Sequence, residues 1–226
     1  MSRPVALITG ASRGIGAAVA RVLAPTHDLL LGGRDESALE ELAGSLDSAR
    51  PWPVELTDAD ALAAATADLT RLDVLVHSAG IAELGPLAEA TADVWRRTLE
   101  VNVIAVAELT RLTLPLLRAN RGHVVLINSG AGLRANPEWG VYAAGKFALR
   151  AFGDALRAEE EDLRVTSIHP GRVDTDMQRG VRAQESGDYQ PHLYLHADSV
   201  AQAVATAVNA GDDAHFTEIV VRPRPR

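Results

Sequence analysis

The residues that most restrict this chain come at its start. Residues 4–9 read as a short buried strand that runs directly into Gly10-Ala-Ser-Arg-Gly14-Ile-Gly16, and an alanine-rich helix over 17–24 follows until Pro25 stops it. Strand, glycine turn and helix in that order form a cradle for an anion. Glycines let the backbone turn tightly and approach a ligand, while the unpaired N–H groups and positive end of the helix face it. The remaining sequence keeps the same alternation. Strands are expected over 27–31, 54–56, 72–77, 122–128, 164–169 and 216–221, and helices over 36–43, 59–69, 92–118, from Trp139 onward, and over 199–209. Strands that alternate with helices build a parallel sheet covered on both faces. One domain over 1–226 is expected, because a chain of this length buries a substantial core as a single α/β unit.

Composition removes several classes of partner. A net charge of -8 and a pI near 5.3 argue against nucleic acid or an anionic membrane, since both require a basic face. No apolar run approaches the ~20 residues of a membrane span, and the apolar stretch over 5–8 is too short for a secretory leader. With no cysteine, disulfides and thiolate metal sites are excluded, and a cytoplasmic location is expected. Arg222, Arg224 and Arg226, interleaved with prolines, read as a frayed end.

The chemistry-bearing stretch runs from Ser129 to Lys146. From Trp139 the apolar residues Val141, Phe147, Phe152 and Leu156 recur at helical spacing, so Tyr142 and Lys146 lie four apart on one helical face. A free phenol titrates near pH 10, and a neighbouring cation lowers such a value by roughly one to three units. The pair therefore predicts a phenol made acidic by Lys146 and fit for general acid-base work, with Ser129 at a strand end to hold the same oxygen. Asn102, among Val101, Val103 and Ile104, needs a partner or a water. Ser78-Ala79-Gly80 ends a strand with residues small enough for close contact with a ligand, whereas His77 reads as structural.

The end of the second strand bears on the choice of nucleotide. An acid there holds a ribose 2'-hydroxyl and an arginine accepts a 2'-phosphate. Gly33 occupies the acid's place, Arg34 follows, and Arg13 in the glycine turn adds a second guanidinium, which favours NADP. Asp35 reads instead as a helix cap, and Glu55 as a contact for an adenine edge. Residues 172–195 lack periodicity and read as a substrate-binding loop. His192 and His196 lack a third ligand, so no metal site is expected. Gly10-Ala-Ser12-Arg-Gly14 is also Gly-x-Ser-x-Gly, the nucleophile elbow of a serine hydrolase, with Asp174 and His196 downstream. That alternative leaves Gly16 unexplained and puts the elbow after the first strand, with no earlier strand to carry an oxyanion loop.

Taken together, Thr9 to Gly16, Ser78-Ala79-Gly80, Asn102, Ser129, Tyr142-x-x-x-Lys146 and Pro170-Gly171 with Thr175 resemble the short-chain dehydrogenase/reductase family over nearly the whole chain. The resemblance implies a Rossmann-type doubly wound sheet of about seven parallel strands. It implies an NADP(H)-dependent oxidoreductase interconverting a small-molecule carbonyl and a secondary alcohol, without metal. By that likeness Tyr142 is the acid/base, Lys146 lowers its pKa and grips the ribose, Ser129 orients the carbonyl, and Asn102 supports a proton-relay water. Cofactor contacts are implied for Gly10, Ser12, Arg13, Gly14, Ile15, Gly16, Arg34, Glu55, Leu56, Ser78, Ala79, Gly80, Tyr142, Lys146, Pro170, Gly171, Val173 and Thr175. The chain departs from the family pattern at His77 and Ser78, where two asparagines are usual, at Glu55 for aspartate, and at Gly145 for serine. A non-catalytic NADPH-binding sensor or scaffold is the alternative. A homodimer or homotetramer is expected through the small residues Ala143, Ala144, Gly145 and Ala148.

Overall fold

The computed structural model describes residues 3–224. The alternation is realised as β1 (Val5–Thr9), α1 (Gly14–Leu23), β2 (Asp28–Gly33), α2 (Glu36–Gly44), β3 (Ala49–Pro53), α3 (Ala59–Ala67) and β4 (Val74–His77). These are followed by α4 (Ala92–Leu99), α5 (Ala105–Ala119), β5 (His123–Ile127), α6 (Gly140–Glu159), β6 (Arg164–Pro170), α7 (Asp176–Gln184), α8 (Ala197–Val208) and β7 (Glu218–Val221). Among the described residues, seven strands form one parallel sheet in the order β3-β2-β1-β4-β5-β6-β7, the doubly wound arrangement expected.

Period-two side-chain alternation divides the core between the two faces of the sheet. Ala6, Ile8, Leu29, Leu31, Val74, Val76, Val125 and Ile127 pack against α1, α2 and α8. Leu7, Leu30, Leu75, Val124 and Leu126 pack against α3, α5 and α6. Facing alanines, Ala17 and Ala20 on α1 and Ala201 and Ala205 on α8, keep the first layer thin where those helices meet. Among the described residues no helix is long and apolar enough to cross a membrane.

Several expected elements are corrected. The third strand is not 54–56 but Ala49–Pro53, and its two prolines pair opposite Leu31 and Gly33. They are tolerated because β3 is an edge strand, where a missing N–H costs no second partner. The helix expected over 92–118 is interrupted by a π-helical segment, Glu100–Ile104, which carries Asn102; Pro115 does not end α5, because it lies on the exposed side. The segment expected to be a loop contains α7, capped by Thr175, whose hydroxyl accepts from Gln178 N (3.3 Å). Asp198 does not cap the last helix, which begins at Ala197; it sits in the first turn, where its charge complements the helix dipole. Asp35 and Thr91 do cap, accepting from Ala38 N (3.1 Å) and Val94 N (3.4 Å). The C-terminal segment is tied down rather than frayed, since Arg222 donates to the His169 carbonyl (2.6 Å); Arg226 lies outside the described residues.

Candidate active site

The sheet order reverses between β1 and β4, and a crevice opens there beyond the carboxyl ends of the strands, the usual place for a ligand in an open α/β sheet. Gly10 turns the chain at φ 66°, and a Cβ on it would stand 2.9 Å from the backbone of Ala79. Gly16 lies so close under the turn that a Cβ would meet the Gly10 carbonyl at 2.2 Å. Arg13 is the N-cap of α1 and makes no side-chain cap bond, so the first N–H groups of the helix have no partner from it. Small residues thus leave a cradle of free donors.

The crevice has two arms. One, about 490 Å³, is lined by Gly10, Ser12, Arg13, Gly14, Gly16, Arg34, Glu55 and Leu56; the other, about 240 Å³, by Ser129, Tyr142, Lys146, Pro170, Gly171 and Val173. Ile15, residues 78–82, Thr175 and Met177 line both and join them. Every residue implied for cofactor contact is in these walls. Asn102 lines neither arm. It is 1% exposed behind the wall, where its side-chain amide accepts from Ile81 N and donates to Ile81 O, both at 2.9 Å, so the partner it needed is backbone.

β5 ends at Ile127 and delivers Ser129, while α6 carries Tyr142 and Lys146 across the 240 Å³ arm from it. The Ser129 hydroxyl accepts from Ala131 N (3.1 Å), and its nearness tempers the rise in the phenol's pKa. Lys146 donates to the Ile127 carbonyl (2.9 Å), with its ammonium 5.8 Å from the centre of the Tyr142 ring. The expected direction of the phenol's shift is reversed. Burial pushes the Tyr142 pKa up, only partly offset by Ser129, and the same burial lowers Lys146 to about 8.

In the larger arm Arg13 and Arg34 are each about three-quarters exposed, Arg13 3.9 Å from Asp176 and Arg34 3.5 Å from Glu55. Glu55 also accepts from the backbone and hydroxyl of Thr57, at 3.2 and 2.9 Å. The departure at residue 77 is compensated. His77, 3% exposed, bonds Thr110 (2.9 Å), and Thr9 Oγ1 accepts from Ser78 N and Ala79 N and so stitches β1 to β4. Of the small residues on α6, Ala143 and Gly145 are buried within the chain, Gly145 against Thr98 and Asn102. The hydrolase alternative finds no triad among the described residues, because Asp174 engages Tyr189 and Arg179 rather than a histidine. Nor do the described residues gather three side chains suited to a metal.

Several wall residues had no sequence signal. Asn128 accepts from Ser129 N (2.8 Å) and donates to Lys146 O (3.1 Å), bracing both sides of the site. Its one mark is that it is an amide directly after the four apolar residues Val124 to Ile127. Glu185 binds Arg172, Arg182 and the indole of Trp139, and Gln184 spans Ala82 and Leu84, so the end of α7 is fastened to three walls of the cleft. Those partners are up to 102 residues away in sequence, and only the fold brings them together.

Residues 4–186 match the family described as short chain dehydrogenase. The chain is 36% identical to the bovine dehydrogenase/reductase SDR family member 7B over 82% of its length, and 35% identical to a glycine betaine reductase of Emericella nidulans over 99%. It spans 62% of the first of these proteins and 19% of the second. Its backbone superposes with a TM-score of 0.89 on an alcohol dehydrogenase from the archaeon Thermococcus sibiricus complexed with 5-hydroxy-NADP, at 29% identity and over the full length of both chains.

Proposed function

The chain belongs to the short-chain dehydrogenase family, and on that premise we propose that it is an NADP(H)-dependent oxidoreductase interconverting a carbonyl compound and a secondary alcohol. The observation that carries this reading is the continuity of the cleft, in which a glycine cradle with free helix donors opens into an arm walled by Ser129, Tyr142 and Lys146. The cradle suits a dinucleotide. Its anionic centre would be held by the N–H groups around Ser12 to Gly16, its adenosine end by Arg34, Glu55 and Leu56, and its ribose by Lys146 and Tyr142. Bound there, the reduced nucleotide supplies hydride to the carbonyl carbon.

The protein's own part is to handle the oxygen and its proton. Ser129 donates to the substrate oxygen, and Tyr142 gives that oxygen its proton during reduction or takes it back during oxidation. Asn102 fixes Ile81, one of the residues joining the two arms, and so acts on positioning. Selection of NADP rests on the end of β2, where Gly33 stands in place of an acid and Asp35 is occupied as a cap, leaving Arg13 and Arg34 to meet a 2'-phosphate. Self-association through the partly exposed face of α6, with Ala144, Ala148 and the 41% exposed Phe147, belongs to the same reading. Tyr142→Phe tests the core of it. The variant should bind NADPH within about twofold of the parent yet lose at least ~10²-fold in carbonyl reduction; retained turnover would refute the assignment.

A further inference from the structure

Helix α7 buries only Gln178 and Val181 against the protein, one turn apart. Val181 needs no explanation. Gln178 is 7% exposed, and its side-chain nitrogen is sealed from solvent with no hydrogen-bond partner among the described residues. A buried amide without a partner destabilises the fold, and a leucine or methionine would fill the same place without that cost. Its location is specific. Gln178 lines the 240 Å³ arm with Ser129 and Tyr142 but not the nucleotide arm, whereas Thr175 and Met177 beside it line both. Otherwise that wall of the arm is largely apolar, formed by Ile81, Ala82, Trp139, Met177 and Val181.

Building on the oxidoreductase reading, we infer that Gln178 is a specificity-determining residue whose amide hydrogen-bonds a second oxygen of the substrate, on a carbon near the one reduced. The substrate class is then a compact α-oxygenated carbonyl compound, an α-hydroxy ketone or α-dicarbonyl, rather than a plain ketone. An amide can turn over and offer either its N–H or its oxygen. A hydroxyl satisfies both orientations and a carbonyl only the first.

Three probes on one four-carbon skeleton separate these terms: 2-butanone, acetoin and 2,3-butanedione, each reduced with NADPH by the parent, Gln178→Met and Gln178→Asn. Intrinsic electrophilicity differs among the probes but cancels when each variant is compared with the parent. In Gln178→Met, kcat/KM should fall by about tenfold or more for acetoin and butanedione and by less than about twofold for butanone. Gln178→Asn should lie between. NADPH affinity should not move, and the melting temperature of Gln178→Met should equal or exceed the parent's, because the unpartnered amide is gone. A residue present only for packing would lower the melting temperature and all three rates together, which overturns the inference, as would an unchanged acetoin-to-butanone ratio. If the parent reduces aldehydes or other ketones but none of the three probes, this substrate class fails while the reductase reading stands. NADPH consumption with no carbonyl at all would sink both.

Discussion

Removing the two guanidiniums at the nucleotide arm should cost NADPH far more than NADH, by an amount the geometry sets. Arg13 and Arg34 are each about three-quarters exposed, so the dielectric between either one and a 2'-phosphate is close to that of water. At 4 Å two unit charges then interact by about 1 kcal/mol, and a phosphate monoester carries about 1.5 to 2 negative charges near neutrality. Each arginine would contribute about 1.5 to 2 kcal/mol if unopposed. Both are opposed. Arg34 has Glu55 at 3.5 Å and Arg13 has Asp176 at 3.9 Å, so roughly 1 kcal/mol should survive per residue, consistent with exposed ion pairs. That predicts about a fivefold loss of NADPH affinity for Arg13→Ala or Arg34→Ala and about 25-fold for the double variant. Isothermal titration of both cofactors measures it, and NADH binding should change by less than about twofold because it lacks the phosphate. The NADPH effect should also shrink as salt is raised. Tighter NADH than NADPH binding by the parent, or equal losses for both nucleotides in the double variant, would refute the assignment of these arginines.

Acid should destabilise the fold well before its carboxylates titrate. His77 and His123 are buried with pKa values lowered to about 3, so the unfolded chain takes up both protons as pH falls below 6.5 while the folded chain does not, and stability is lost downward through that window. His27 and His169 are shifted the same way by burial, so the two protons of His77 and His123, about 2.7 kcal/mol per pH unit once both titrate in the unfolded chain, set a floor for the slope; urea midpoints that stay flat between pH 6.5 and 5 would contradict it, and His77→Asn should remove about 1.4 kcal/mol per pH unit. Gly16→Ala places a Cβ 2.2 Å from the Gly10 carbonyl, against backbone that cannot swing aside. It should lower the melting temperature and weaken NADPH by more than about tenfold, since opening the turn moves the donors it presents; a variant that binds normally would show that the turn is not the cradle.

The sequence was informative where one local pattern determined one element. Strand, glycine turn and helix at the start, and the four-residue interval between Tyr142 and Lys146, rest on periodicity and backbone freedom, and the fold realises both. Signals failed where tertiary context overrides composition. Ala49–Pro53 was masked by prolines that only an edge position tolerates, and α7 by an interior Gly180 and just two buried positions, one of them a glutamine. The π-helical turn at Asn102 left no local mark, and the backbone of Ile81 that its amide clasps lies 21 residues earlier. The clasp of Gln184 and Glu185 across the cleft escaped for the same reason.

Sequence spacing identifies neighbours but does not measure solvation, and at Tyr142 and Lys146 solvation decides the outcome. Spacing alone suggested a cation acidifying a phenol. Enclosure acts on both groups at once, disfavouring phenolate and ammonium alike, and the phenol moves upward while the ammonium falls to about 8. An ordinary phenol already holds its proton at neutrality, so the upward shift supplies no additional proton. Under the mechanism proposed above, burial therefore has a cost in both directions: it makes Tyr142 a weaker donor to a carbonyl oxygen, and it makes harder the loss of the proton that must precede taking one from an alcohol. Alkaline pH eases only the second.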